Sequence, residues 1–153
     1  MDRNHILILG IGNYLMGDDG IGVHAIEALR KNRMLRGIDI VDGGTKGLEL
    51  INHFENKKRA IIIDAIDLNR APGEFILLRG EQITTYLDRI RYSVHEIGLK
   101  DLLSTLLLLD MMPDELILIG LQPGKIEAGT TLSNGVKNNL NQLIDRITEI
   151  VHA

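Results

Sequence analysis

Cysteine is absent from the 153-residue chain. This absence excludes disulfide bonds, zinc sites built from thiolates, and a cysteine nucleophile. The N-terminal residues MDRNH lead into a short strand-like run and lack the apolar segment of a usual secretory signal. Both observations fit a cytoplasmic location, which is what we expect.

The chain also lacks an excess of positive charge and any long apolar stretch. It carries 17 lysine and arginine residues against 21 aspartate and glutamate residues, which gives a net charge of -4. Nucleic-acid binding needs clustered cations, and the leucine-rich stretch 102–109 is too short to cross a bilayer. We therefore expect neither a nucleic-acid partner nor a membrane span.

No repeat, linker or low-complexity segment divides the sequence. A chain of this length can bury roughly 70% of its unfolded surface, which is enough for an independent core. The sequence therefore predicts a single domain over residues 1–153.

Short apolar runs alternate with longer helical patterns along the chain. The runs predict five strands, at residues 5–9, 38–41, 60–63, 74–79 and 116–121. In the fourth, apolar and polar residues alternate enough for an edge strand. The helical patterns cover residues 19–33, 46–54, 93–109 and 133–152. This order predicts an α/β fold, with three α/β/α layers around a mainly parallel, twisted sheet of about five strands.

Two of the predicted helices carry start signals. Thr45 is placed as the N-cap of the helix at 46–54. Ser93 and Glu96 have the spacing of a capping box, which puts His95 in the first turn of its helix. The positive end of a helix favours neutral imidazole, which can bind a metal, although such a histidine can also serve only in capping or packing.

In sheets of this kind, ligands bind beyond the carboxyl ends of the strands, where the strand order reverses. Three polar segments follow the first three predicted strands: the loop GIGNYLMGDDGIG at 10–22, the turn DGGT at 42–45, and Asp64. Aspartate occurs in all three segments, so the sequence predicts an acidic site at this edge of the sheet.

A dinucleotide site is one interpretation of the glycine-rich loop, with Gly10, Gly12 and Asp42 as its binding residues. The fingerprint needs a third glycine at position 15, where this chain has leucine. Asp18 and Asp19 at the predicted helix start would also repel a pyrophosphate. We therefore do not favour a phosphate cradle.

Asp64 ends the apolar run AIII, where a carboxylate needs hydrogen bonds or a cation. It can cap a neighbouring helix, or it can join Asp19 and His95 in a site with two carboxylates and one imidazole. Such a set leaves coordination positions for water or substrate, and it suits zinc, nickel, manganese or iron(II) without choosing among them.

An ordered set of motifs runs from Ile6 to about Val136: G-I-G-N-x-x-x-G-D-D-G-I-G, D-G-G-T-x-G, I-I-D-A, S-V-H-E-I-G-L and G-L-Q-P. In this set the sequence resembles the hydrogenase maturation endopeptidases. The resemblance implies a hydrolase that removes a C-terminal extension from the [NiFe] hydrogenase large-subunit precursor once nickel is inserted. It also implies that the family's metal-binding positions fall on Asp19, Asp64 and His95.

The resemblance further associates the segment from Asp42 to Thr45 with substrate recognition or cleavage. Three interpretations of the metal stay open. In the first, the site senses nickel that is already bound in the precursor, so the resting enzyme need hold no metal. In the second, a metal held by the enzyme activates water. In the third, Asp42 or Asp64 acts as a general base without metal.

We favour nickel sensing, with water as the nucleophile and a carboxylate assisting, which is an aspartyl-type mechanism. Asn13 and the backbone amides of Gly43 and Gly44 are the candidate oxyanion donors. Two other classes of function are kept as alternatives: a nucleotide-binding α/β module, and a non-catalytic chaperone that senses nickel.

Overall fold

A five-stranded sheet forms the centre of the protein in the computed structural model, which describes residues 1–89 and 94–153. Its strands are β1 (Ile6–Ile11), β2 (Asp39–Gly44), β3 (Arg59–Ala65), β4 (Phe75–Arg79) and β5 (Glu115–Leu121). Their order across the sheet is β2-β1-β3-β5-β4, and only β4, at one edge, runs antiparallel to its neighbour.

All five predicted strands are confirmed, including the edge position of the fourth. Three of them, β1, β2 and β3, extend further than predicted at their carboxyl ends. Asp42 is in register with Gly10 inside β2, and Asp64 is in register with Gly120 inside β3. The polar residues that were expected just after the strands therefore belong to the hydrogen-bonded ladder itself.

The α-helices are α1 (Ile21–Leu29), α2 (Glu81–Arg89), α3 (Val94–Leu108) and α4 (Asn134–His152), and 3-10 helices cover Arg3–His5, Gly17–Gly20, Arg33–Leu35 and Gly47–Phe54. The predicted helix at 19–33 begins as the 3-10 turn Gly17–Gly20 and ends at Leu29. Helix α2 was not predicted, because its sequence EQITTYLDR buries only three side chains.

The prediction of Thr45 as the N-cap of an α-helix is wrong. The segment Gly47–Phe54 is a 3-10 helix, its N-cap position is Lys46, and no side chain caps it. Gly47 has a φ of 54°, so the chain cannot continue as a right-handed helix through this residue. The predicted N-cap Ser93 lies outside the described residues.

The sheet is covered on both faces, which confirms the three-layer arrangement. One apolar core forms under α1 and α4 and takes alternate strand residues such as Ile8 and Ile63. The other forms under α2, α3 and the 3-10 helix Gly47–Phe54, and it takes Leu9 and Ile62. Along each strand, successive side chains thus enter opposite cores. In the described part of the chain, no helix is both long and apolar enough to span a membrane.

Candidate active site

The carboxyl ends of β2, β1 and β3 lie side by side. Gly10 of β1 is in register with Asp42 of β2 on one side and with Ile63 of β3 on the other. The chain passes from β1 to β2 and then crosses back to β3, so the strand order reverses at β1. The first and third strands are therefore neighbours, and the three acidic segments lie at one edge of the sheet.

Asp64 is fully buried at the end of β3. Its Oδ1 atom accepts a hydrogen bond of 2.8 Å from the backbone N–H of Ala65. Asp64 is two residues after Ile62 in β3, so both side chains lie on the same face of the sheet. Ile62 enters the core under α3, and the carboxylate therefore lies on the α3 face. A carboxylate in this environment is costly unless donors or a cation compensate its charge.

Asp19 lies beside the same strand ends and is half-buried. Its Oδ2 atom accepts a 3.0 Å hydrogen bond from the backbone N–H of Asn13. Gly12 lies close to both residues: a methyl group on it would overlap the backbone carbonyl oxygen of Asp19 and would lie 3.6 Å from Asp64 Oδ1. The structure therefore places two of the three predicted metal-ligand residues next to the same glycine.

His95, the third predicted ligand, lies in the first turn of α3, and its side chain is outside the described part of the structure. Just after this turn, at Gly98, the backbone of α3 lies close to the 3-10 helix that follows β2. A methyl group on Gly47 would lie 3.1 Å from the Cα of Gly98. Among the side chains that are described, which exclude that of His95, no three acidic or histidine groups form a metal cluster. The triad therefore stays a prediction.

The DGGT segment forms a turn joined to the glycine-rich loop. Asp42 Oδ1 accepts a 3.1 Å hydrogen bond from the N–H of Gly44, and the carbonyl of Gly44 accepts one of 2.9 Å from the N–H of Gly12. Gly10, the β1 neighbour of Asp42, faces α1. Asp42 therefore lies on the α1 face, about 10 Å and two strand spacings from Asp64 on the α3 face. The two carboxylates are too far apart to share a proton as a dyad.

The predicted oxyanion donors differ in what they already bind. The Gly44 amide is engaged by Asp42, and Gly43 is buried. Asn13 Oδ1 accepts a 3.0 Å hydrogen bond from the N–H of Leu15, so its Nδ2 group is the donor that this side chain can offer a substrate. Thr45, placed with the substrate-binding residues, is exposed at the end of the turn.

Asp18 has a role that the sequence did not reveal. It was predicted as a helix-start residue, but its carboxylate is fully buried and binds the loop after β5. It accepts hydrogen bonds from the N–H groups of Gly124 (2.7 Å), Lys125 (3.0 Å) and Ser133 (2.7 Å), and from Ser133 Oγ (2.6 Å). We call this set the Asp18 clamp. It fixes the loop that carries Asp19 against a segment more than a hundred residues away in sequence.

Gln122, from the G-L-Q-P motif, is a second structural residue at this edge. Its Oε1 atom accepts hydrogen bonds from the N–H groups of Leu68 (2.8 Å) and Arg70 (3.2 Å). Its Nε2 atom donates to Asp67 Oδ1 at 2.9 Å. The side chain therefore holds the loop that follows β3 and Asp64.

The contact between Tyr86 and Glu96 was also missed, because α2, which carries Tyr86, was not predicted. Tyr86 is 3% exposed, accepts a 3.2 Å hydrogen bond from the N–H of Asp67 and donates one of 3.4 Å to Glu96 Oε1. Burial, followed by the negative charges of Glu96 and Asp64, raises the pKa of Tyr86 well above its ordinary range. Its hydroxyl group therefore stays protonated beside the buried carboxylates.

Comparisons with known proteins agree with this architecture. A family model described as HycI, hydrogenase maturation protease, matches residues 23–150. HupD of Bradyrhizobium diazoefficiens, a hydrogenase expression/formation protein, is 37% identical over 150 residues, which cover 97% of this chain and 78% of HupD. The hydrogenase 2 maturation protease of Escherichia coli is 35% identical over 144 residues, which cover 93% of this chain and 87% of that protein.

A solved structure shows the same likeness. The hydrogenase maturating endopeptidase HybD from E. coli has a TM-score of 0.88 at 33% identity, covering 97% of this chain and 92% of that chain. Several other relatives are longer, and this chain covers 59 to 62% of their length.

The α/β fold, its acidic switch-point site and these relatives define the class of protein: it is a peptidase, and thus a hydrolase. More narrowly, the chain belongs to the hydrogenase maturation protease family.

Proposed function

We propose that the protein removes the C-terminal extension of the [NiFe] hydrogenase large-subunit precursor after nickel has been inserted, and that it recognises the bound nickel. The observation that carries this proposal is the buried Asp64 carboxylate, which lies at the switch point next to Gly12, the glycine that also contacts the backbone of Asp19. Two acidic residues close to one glycine at this edge suit contact with a divalent cation.

Nickel enters this proposal as part of the substrate. Asp19, Asp64 and His95 would contact it, with two oxygens and one imidazole nitrogen, which are ligand types that nickel accepts. A loaded precursor offers a divalent cation to these residues, and an empty precursor does not. Discrimination between loaded and empty precursor then follows from the site itself, and the resting enzyme needs no metal of its own.

In the proposed hydrolytic step, water attacks the scissile carbonyl and a carboxylate accepts its proton. The C–N bond then breaks, and the carboxyl group returns the proton to the leaving amine. Asp64 on the α3 face and Asp42 on the α1 face are the two candidates for this base. Because they lie on opposite faces, one of them is expected to serve as base and the other to have a different role. Asn13 Nδ2 is the favoured oxyanion donor, since the Gly44 amide is engaged in the turn.

The alternatives predict different outcomes at the same residues. A nickel-sensing chaperone would bind the loaded precursor and leave it intact. A nucleotide-binding module would bind NAD(P) in a way that an Asp64→Asn substitution leaves unchanged. The cytoplasmic location and the absence of a nucleic-acid partner stay predictions from the sequence.

Precursor processing tests the proposal directly. The purified protein is mixed with the large-subunit precursor from the same source, with and without nickel, and intact masses are measured. We expect loss of a C-terminal peptide from the loaded precursor alone. The Asp64→Asn variant should be inactive, whereas Asp101→Asn, at an exposed position on α3, should process normally. Cleavage of empty precursor would refute nickel recognition, and no cleavage of loaded precursor would favour the chaperone.

A further inference from the structure

Helix α3 is attached to the end of β3 through one tyrosine. Tyr86, on α2, accepts a hydrogen bond of 3.2 Å from the N–H of Asp67, two residues beyond the end of β3. The same hydroxyl group donates to Glu96 Oε1, 3.4 Å away in the first turn of α3. The tyrosine therefore connects the strand that carries Asp64 to the helical turn that carries His95.

Both ends of this connection are themselves fixed. The Oδ1 atom of Asp67 accepts a 2.9 Å hydrogen bond from the Nε2 group of Gln122, which fixes the residue whose backbone N–H donates to Tyr86. Glu96 is only 8% exposed. Two residues further along α3, Gly98 packs against Gly47 of the 3-10 helix. The side chains of Tyr86 and Glu96 are thus buried polar groups placed between two predicted site residues.

We propose that Tyr86 is a positioning residue, whose hydroxyl group sets the first turn of α3, and with it His95, relative to Asp64. This inference rests on the proposed function, because it takes His95 to be a residue of the site. The raised pKa of Tyr86 supports the direction of the contact, since a protonated hydroxyl can donate to Glu96. The 3.4 Å separation is long, and contacts of this kind often shorten when a substrate binds.

The test compares Tyr86→Phe with Thr105→Val as the matched control. Tyr86→Phe removes one hydroxyl group and keeps the buried ring. Thr105→Val also removes one hydroxyl group from a hydrogen bond, but near the far end of α3, where Thr105 binds the Asp101 carbonyl. For Tyr86→Phe we expect kcat for loaded precursor to fall about tenfold with KM little changed, which is the scale for partners that orient ligating histidines. Thr105→Val should process normally.

A second measurement needs no precursor. Hydrogen exchange of backbone amides in the first two turns of α3 should be about tenfold faster in Tyr86→Phe, because a lost contact of ~1.4 kcal/mol is a tenfold change in an opening equilibrium. Exchange in these turns should be unchanged in Thr105→Val. If the wild-type protein processes no precursor, the proposed function fails, and this exchange measurement still decides whether Tyr86 holds the turn.

Glu96 supplies an independent variant. Glu96→Ala should lose activity as Tyr86→Phe does. The double variant should lose little more than either single variant, because each substitution removes the same Tyr86–Glu96 hydrogen bond. Glu96→Gln retains an acceptor oxygen and should recover most of the activity. Wild-type activity and exchange in Tyr86→Phe, or fully additive effects of Tyr86→Phe and Glu96→Ala, would overturn the proposal.

Discussion

The Asp18 clamp provides the sharpest stability prediction. Replacing Asp18 by alanine removes the acceptor of four hydrogen bonds and leaves their donors to find other partners. Bonds to a charged group contribute about 1.5–3 kcal/mol each, but the donors at Gly124 and Lys125 lie on exposed residues and can bind water instead. The main loss comes from the half-buried Ser133, together with the cavity in a fully buried site.

We therefore expect Asp18→Ala to lower the free energy of unfolding by about 3 kcal/mol. Asp18→Asn should cost about 2 kcal/mol, because it keeps the shape but turns one acceptor into a donor that faces other donors. For a chain of this size, 3 kcal/mol corresponds to a fall in Tm of roughly 6–12 °C.

Urea denaturation at neutral pH, followed by circular dichroism, measures these changes. Ser133→Ala is the informative companion, since it deletes only the 2.6 Å hydroxyl bond to Asp18 and should cost about 1 kcal/mol. A loss below about 0.5 kcal/mol in Asp18→Ala would refute the reasoning, because that is the scale of ordinary surface substitutions. Equal stability of Asp18→Asn and the wild type would show that the charge is not needed.

Three further predictions concern the site. Asp42→Asn keeps an acceptor for the N–H of Gly44, whereas Asp42→Ala removes it. Normal processing in Asp42→Asn and a loss in Asp42→Ala would indicate that Asp42 shapes the turn, and equal losses would indicate that it is the base. Initial rates of cleavage of loaded precursor distinguish the two roles. Gly12→Ala should abolish processing and cost about 1–3 kcal/mol in denaturation experiments, because its φ of 125° and the Asp19 carbonyl both oppose a methyl group; a stable, active variant would contradict the site geometry. Because the pKa of Tyr86 is raised in the folded state, its contribution to stability is present below the unfolded pKa of about 10 and is lost as pH rises above it, by up to about 1.4 kcal/mol per pH unit. Unfolding free energies measured from about pH 9 to 11 should therefore fall less steeply in Tyr86→Phe than in the wild type, and identical slopes would count against the raised pKa.

The strands β1, β3 and β5 were predictable because each is a nearly unbroken apolar run bounded by polar residues. Burial on both faces of a parallel sheet requires such runs, and β3, with the sequence RAIIIDA, illustrates this requirement. The strand order was not predicted, since β2 and β3 are consecutive in the chain and yet lie on opposite sides of β1. The grouping of Asp19 with Asp64 was nonetheless accessible from the sequence, because ligand sites in such sheets lie beyond the carboxyl ends of the strands.

Other features depend on geometry that the sequence does not encode locally. The face on which Asp42 lies depends on its register with Gly10, and a shift by one residue would reverse it. Asp18 and Asp19 are adjacent and chemically identical, yet one binds the loop after β5 and the other the N–H of Asn13. Their different partners come from the path of the chain, which only the structure defines.

The Asp18 clamp also has a consequence for when the protein becomes active during its synthesis. Its donors are residues 124, 125 and 133, so a nascent chain lacks all of them until residue 124 has left the ribosome. Contacts between such distant parts of a chain form late, because a long loop must close first. The loop that carries Asp19 is thus fixed only after this later segment has folded onto it, and a nascent chain that ends before residue 124 is expected to be an inactive peptidase.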